Sequence, residues 1–400
     1  MNTLTMTSGA ALVTFSAVAA PGPVSSMSVV SGNAQSSMAG TPLASQVRFA
    51  VVDLFNNGVQ GRVVTFSVQS GGGSISNSAA TTDTDGVAVL NGWTLGRSAA
   101  PQAVRASFGN FSTTASASVQ SGYDIDIRFF GPAMSSEQRA IFTNAAARIR
   151  GVVVGDIVNV LATNIDVVSA CGATGVAPLN ELIDDVIIYA SIIPIDGPGK
   201  ILGQAGPCLF RSSSSRYLTA VGRMQFDIDD IAAMAANGTL QDVIIHEMLH
   251  VLGIGQTFWS VNGLLVNLDL PTVGYVGLQG RQGCFDLGGA ITCSGSVPVE
   301  NTGGQGTAGA HWRESVFNAE LMTGYSNVGP SPFSLITVGS LSDIGYVVNR
   351  SAADPFNPGN FSLRSQQLAR PLNEGPWEKT LDIVPQVLRP DGKLEPLQKR

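Results

Sequence analysis

Asp242-Val243-Ile244-Ile245-His246-Glu247-Met248-Leu249-His250-Val251-Leu252-Gly253 gathers two of the chain's three histidines around one glutamate. On an α-helix, residues four apart share a face, so His246 and His250 can both reach one metal ion at about 2.0–2.1 Å. Glu247 is then the candidate base, placed to accept a proton from a zinc-bound water whose pKa the metal lowers towards about 7. Thr239 and Asp242 form a capping pattern at the start of this helix, and Gly253 suits a left-handed residue past its end. Val243, Ile244, Ile245, Leu249, Val251 and Leu252 cover most of its circumference, which predicts a helix buried on nearly all sides. The plainer alternative is a core helix with two incidental histidines, because a bare H-E-x-x-H also recurs by chance.

A hydrolytic zinc site needs three protein ligands and one open position. The one remaining histidine is His311, in Gly309-Ala310-His311-Trp312-Arg313-Glu314-Ser315-Val316-Phe317-Asn318-Ala319-Glu320-Leu321-Met322-Thr323-Gly324-Tyr325. The place ten positions after the first histidine, where many H-E-x-x-H enzymes have their third, is Gln256.

His246-Glu247-x-x-His250-x-x-Gly253, a long insertion, then Ala310-His311-Trp312 and Glu320-Leu321-Met322-Thr323-Gly324 resemble the leishmanolysin-type metzincin zinc endopeptidases. The resemblance spans roughly residues 121–350 and takes in Asp227-Ile228-Asp229-Asp230 and Pro298-Val299-Glu300-Asn301-Thr302-Gly303-Gly304. It implies that His246, His250 and His311 hold one catalytic Zn2+, that Glu247 is the general base, and that Met322 is the methionine of the turn beneath the metal. The chain has four cysteines and ends in Gln398-Lys399-Arg400. Eukaryotic members have many more cysteines and a lipid-anchor signal, so the expectation is a bacterial-type relative.

Hydrophobic residues make up 44% and charged residues 13% of the 400, with 46 glycines, which favours a β-rich, loop-rich extracellular protein of two or three domains. A net charge of −7 without a basic cluster argues against nucleic-acid partners. No apolar run approaches the length of a transmembrane span. Cys171, Cys208, Cys284 and Cys293 form no C-x-x-C pair and read as disulfides. Three pairings are open; Cys171–Cys208 and Cys284–Cys293 are favoured because each stays within one stretch of the peptidase region, with free thiols as the alternative.

Four regions are expected. Residues 1–25 read either as the apolar core of an export signal lacking its positive start or as the remnant of a preceding repeat, since Val13-Thr14-Phe15-Ser16-Ala17 aligns with Thr113-Thr114-Ala115-Ser116-Ala117 at an offset of 100; the repeat is preferred. Residues 26–120 contain short β-branched strands between turns, which predict a β-sandwich. Their Thr65-Phe66, Thr82-Asp83-Thr84-Asp85-Gly86 and Trp93-Thr94-Leu95-Gly96 stretches resemble bacterial immunoglobulin-like domains of the invasin and intimin kind. These serve mostly as spacers or adhesion modules, which leaves room for a surface or matrix ligand.

Residues 121–350 are the α+β peptidase region. A strand at Ile125, Ile127 and Phe129 precedes a helix opened by Ser135 and Gln138, with buried strands at Val186–Ile193 and Met224–Phe226. In zinc peptidases of this type an edge strand aligns the substrate by β-pairing. Asp227, Asp229 and Asp230 raise a Ca2+ hypothesis against the simpler reading that Asp227 or Asp229 caps the following helix. Residues 254–310, poor in helix signals, read as a looped subdomain. Residues 351–400 read as a proline- and charge-rich tail, including Lys379, Lys393 and Lys399, partly disordered or packed on the surface.

The expected whole is multidomain: an immunoglobulin-like β-sandwich followed by a metzincin-type zinc peptidase, secreted or at the cell surface, hydrolysing protein or peptide substrates through a zinc-activated water with Glu247 as general base. The rival is a surface adhesion protein whose protease-like domain is degenerate.

Overall fold

The computed structural model describes residues 2–17, 20–37, 40–96, 101–119, 122–304, 306–325, 329–357 and 383–397. Lys379, Lys399 and much of the expected tail lie outside these residues. The chain divides into two compact units, Met1–Ser121 and Gly122–Arg400.

The first unit is all β. A five-stranded sheet and the three-stranded sheet of Val24–Ser31, Val47–Asp53 and Val87–Leu90 share one apolar cluster. Phe49, Val51, Val64, Phe66, Val104 and Ala115 are among its buried members, and the Phe49 and Phe66 rings meet at 5.4 Å. Alternation decides which side chains point inward: the pattern along Gln102–Phe108 is buried at Val104 and Ala106 and exposed at Arg105.

Residues Asn2–Ser8 and Ala11–Ala17 form an antiparallel hairpin that turns at Gly9, as Gln102–Phe108 and Phe111–Val119 do at Gly109. The offset of 100 thus relates like structures. Leu4 opposes Phe15 and Met6 opposes Val13 on one face. All four are more than half exposed, whereas Val104, Ala106 and Ala115, the counterparts of Leu4, Met6 and Phe15, are fully buried and Thr113, that of Val13, is partly buried.

The second unit is built on a six-stranded sheet. Its strands are β1 (Ile125–Phe129), β2 (Val186–Ile193), β3 (Gly203–Phe210), β4 (Thr219–Asp227), β5 (Gln386–Leu388) and β6 (Leu394–Pro396). Their spatial order is β1-β2-β4-β3-β5-β6. β1, β2 and β4 are parallel, β3 is antiparallel to β4, and β5 adds to β3 in parallel at Leu209 and Phe210. Part of the expected tail is therefore sheet. Val387 and Leu388 are buried there, apolar residues that the surrounding prolines and charges mask in the sequence.

Helices α1 (Ser136–Val152) and α2 (Leu240–Val251) pack on this sheet, while α3 (Leu278–Asp286) and α4 (Leu335–Ile344) pack against each other. Ser135 and Gln138 make a reciprocal capping box on α1, which buries Phe142, Ala145, Ala146, Ile149 and Val152. α2, with nearly every residue buried, packs against α1, β3 and β4.

The insertion is more helical than its sequence implies. In this stretch, poor in helix signals, α3 runs through both Gly280 and Gly283. A Cβ on Gly283 would lie 2.1 Å from the Leu335 carbonyl oxygen, and one on Gly339 of α4 would lie 2.2 Å from that of Gln279. These glycines let two helices touch backbone to backbone, so packing overrides propensity.

Two disulfides, Cys171–Cys208 and Cys284–Cys293, lie within this unit. The first ties β3 to the short helix Val167–Cys171; the second closes the end of α3.

Asp185 accepts the backbone N–H groups of Asp124 and Ile157. Burial pushes its carboxyl up to about 7, helped by Asp184 and Asp156 and opposed by those two N–H groups. A carboxyl raised in the folded state contributes stability that is complete below its unfolded value of about 3.9 and is lost as pH rises through about 7. The thermal midpoint of Asp185→Asn relative to wild type will therefore improve between about pH 5 and pH 8. Parallel midpoint curves over that range would refute the assignment.

Candidate metal centre

Helix α2 places His246 and His250 on one face, and a turn of backbone sets the second ring. Gly253, at φ +107°, follows the last helical residues. Ile254 N–H bonds Leu249 C=O and Gly253 N–H bonds His250 C=O, the pair of bonds that closes a helix by a Schellman motif. The reversed chain brings Ile254 C=O back to His250 Nδ1 at 2.7 Å. A Cβ on Gly253 would also sit 2.9 Å from the Phe258 ring, so glycine is required twice over.

The start of α2 differs from expectation. The Thr239 side chain makes no cap bond, and the Asp242 carboxylate accepts Ser331 N–H instead. Asp242 thereby ties the helix to the segment that follows Met322.

His311 comes from the far end of the insertion, and three backbone segments are knitted together to hold it. Val299 bridges Trp312, and Trp312 bridges Thr323. Two buried carboxylates fix these segments. Glu300 accepts the N–H groups of Asn301, Thr302 and Glu314 and the Thr302 hydroxyl. Glu320 accepts Met322 N–H, Ser334 N–H and the hydroxyls of Ser334 and Thr337. Burial pushes the Glu320 carboxyl up, and those hydrogen bonds pull against it.

Thr337 also accepts the Trp312 indole N–H at 2.8 Å, so a relay runs from the residue beside His311 to the Met322 backbone. Trp312 stacks on Trp259 at 4.9 Å and meets Tyr275 edge-on at 5.3 Å. This buried aromatic base gives the loop a rigid floor. Met322 is fully buried and its C=O receives Trp312 N–H.

The three Nε2 atoms converge. They are separated by 2.9 Å (His246–His250), 3.0 Å (His250–His311) and 3.1 Å (His246–His311). Each Nδ1 lies against a carbonyl oxygen: His246 on Leu321 at 2.6 Å, His250 on Ile254 at 2.7 Å, and His311 on Thr307 at 3.1 Å. A carbonyl only accepts, so each Nδ1 donates, and a neutral ring then directs its Nε2 lone pair at the other two. Three lone pairs at this spacing repel unless a cation sits among them. A zinc–nitrogen bond of about 2.0–2.1 Å lets one ion touch all three, so the donor set fits zinc.

Glu247 is fully buried and lies against the start of β3. A Cβ on Gly203 would be 2.8 Å from Glu247 Oε1, and one on Gly222 of β4 would be 2.3 Å from Val251. Glycine at both positions lets α2 settle onto the sheet. Neither glycine stands out in the sequence, and the three carbonyl acceptors, belonging to backbone, leave no side-chain signal. Gln256 starts the short helix Gln256–Val261.

Asp227, Asp229 and Asp230 do not converge as the histidines do; the second metal-capable group among the described residues is Asp156, Asp184 and Asp185. Asp227 accepts N–H groups from Ile195, Asp196, Gly197 and Asp229, and Asp230 accepts Gly199 N–H. Burial alone would raise Asp227, but the backbone donors hold it below its ordinary value. The helix that follows is capped at Asp230 without a side-chain bond. These aspartates secure the 195–199 loop, and calcium finds no support.

Gly253→Ala will cost about 1–3 kcal/mol of stability and, by moving Ile254 C=O off His250, weaken metal retention roughly 10- to 100-fold. Thermal melts and a metal-competition titration measure the two; unchanged metal affinity would refute the link.

The model of the leishmanolysin family (peptidase M8) matches residues 153–363, just over half of the chain. The chain is 28% identical over 189 residues to a leishmanolysin homolog of Crithidia fasciculata, covering 44% of this chain and 26% of that protein. It is 35% identical over 117 residues to a leishmanolysin-like peptidase of Drosophila pseudoobscura pseudoobscura, covering 27% of this chain and 16% of that protein. The matches thus span about a quarter or less of these relatives' lengths. Among solved structures, domains 4 and 5 of the S-layer protein SbsC align at 17% identity over 28% of this chain and 59% of that one, with a TM-score of 0.20. The C-terminal 282-residue fragment of intimin aligns at 15% identity over 46% and 50%, with a TM-score of 0.18; neither likeness carries an argument. With its family match running through both histidine-bearing segments, the chain belongs to the leishmanolysin family of zinc-dependent metallopeptidases.

Proposed function

We propose that the chain is a secreted zinc endopeptidase in which His246, His250 and His311 hold the metal and Glu247 is the general base. The observation that carries this reading is the convergence of three Nε2 atoms at 2.9–3.1 Å, each ring clamped through Nδ1 by a carbonyl. When bound, zinc supplies Lewis acidity, lowering the pKa of a coordinated water and polarising a carbonyl.

The chain's own residues do the rest. Glu247, adjacent to His246 and pressed against Gly203, takes the proton of the attacking water and returns it to the leaving amine. An extended peptide lies along β3 between Gly203 and Pro207, where no strand occupies the outer edge among the described residues, and pairs with it as an added strand. Met322 packs beneath the centre without a chemical task. The two disulfides support an extracellular setting, and no helix among the described residues is long and apolar enough to cross a membrane.

The first unit acts as an immunoglobulin-like spacer, a role its two facing sheets support. A degenerate, purely adhesive protein is opposed by the intact ligand triad and Glu247.

With zinc loaded, wild type will hydrolyse an unfolded protein. Glu247→Gln will retain zinc and lose roughly 10²- to 10⁴-fold in kcat/KM. Chelation will abolish activity and added zinc restore it. A zinc-loaded wild type that cleaves nothing, or a Glu247→Gln variant as active as wild type, would overturn the reading.

A further inference from the structure

We propose that the carboxy-terminal segment Ile383–Leu388 is a wall of the substrate cleft and sets which side chain the enzyme accepts beside His250. The inference rests on the peptidase reading and assigns part of its specificity to residues more than 130 positions beyond the zinc helix.

Strand β3 runs from the metal centre to this segment. Its first residue, Gly203, is against Glu247, and its last two, Leu209 and Phe210, pair with Gln386 and Val387 of β5. At about 3.3 Å per residue, six residues separate the glutamate from the added strand by roughly 20 Å. β5 therefore ends the open edge, and a peptide paired on Gly203–Pro207 meets it after a few residues.

Just before β5, Ile383 and Pro385 turn towards the metal centre. They line a pocket of about 100 Å³ together with His250, Ala205, Gln256 and Phe258. This is several times the roughly 10–15 Å³ that one water needs on the same measure, room for an aliphatic side chain of moderate size. Its walls are mixed: Ala205, Phe258, Ala310, Ile383 and Pro385 supply apolar surface, and His250, Gln256 and Thr257 supply polar groups.

The wall is held firmly from behind. Leu388 and Val387 are buried, Leu388 joins the cluster containing Leu209 and the disulfide-bonded Cys208, and β6 completes the hairpin. Ile383 is half-buried, packed at the margin of that same cluster, whereas its neighbour Val384 is 85% exposed. Adjacent positions thus differ in what they face: Ile383 lines the pocket and Val384 points to solvent.

The test compares zinc-loaded wild type, Ile383→Ala, Ile383→Val and Val384→Ala. Cleavage sites in a reduced, alkylated protein are mapped by mass spectrometry, and kcat/KM is measured on peptides that vary one residue flanking the scissile bond. Ile383→Ala is expected to shift preference towards a larger apolar residue at one flanking position, changing discrimination between the two best residues by about 10-fold. Ile383→Val should move it the same way by less, and Val384→Ala should leave it unchanged. Zinc content should be equal in all four.

Identical site maps and discrimination in wild type and both Ile383 variants would overturn the inference while leaving the peptidase reading intact. The same shift in Val384→Ala would also overturn it, showing a general loosening of the segment. Ile383→Val removes a single methyl and keeps the test decisive where Ile383→Ala fails to fold. A wild type that cleaves nothing overturns the peptidase reading and this one with it.

Discussion

Three imidazole lone pairs directed at one point are an arrangement that a folded protein must hold by force, and here the force is backbone. Leu321, Ile254 and Thr307 each present a carbonyl oxygen to an Nδ1, which fixes ring orientation and tautomer together. Those carbonyls come from the turn at Leu321, the Schellman turn and the loop before His311. The geometry of the centre is thus the sum of three turns, and much of the surrounding structure serves to fix them.

That dependence explains the density of buried polar groups around a hydrophobic core. Glu320 and Glu300 are carboxylates in places where an unpaired charge would be costly, and each accepts four hydrogen bonds from backbone and hydroxyl donors. They act as hubs for loops that lack regular secondary structure. Below them Trp259, Tyr275 and Trp312 fill the volume with rigid rings, so the loops rest on a surface that does not yield.

The sequence made helix α2, its burial and its glycine stop legible because those rest on spacing and on one positive-φ position. The capping box of Ser135 and Gln138 and the strand Val186–Ile193 were equally open to reading. The structure also joins Cys171 to Cys208 and Cys284 to Cys293, pairs that proximity in the chain favours. What stayed hidden was long-range or made of backbone. Asp242 looked like a cap and serves Ser331, 89 positions away. Residues 254–310 read as loop, yet Gly280 and Gly283 lie in a helix, and Gly283 is a contact point with another helix. Gly203 carries no side chain, and its meaning lies in the carboxylate it admits. The strand at Gln386–Leu388 was obscured because its few apolar residues stand among prolines and charges.

That same strand has a consequence for the life history of the molecule. β5 pairs with β3 across 177 positions of sequence, so the sheet cannot close until nearly the whole peptidase unit has emerged during synthesis. Contacts of such separation form late, since loop-closure entropy must be met first. Helix α2 and its neighbouring strands can assemble earlier, but β3 acquires its partner β5 only late. A nascent chain therefore passes through a stage with Leu209 and Phe210 uncovered at the edge of β3, open to pairing with other extended segments, and maturation consists in part of the chain covering that end of its own strand.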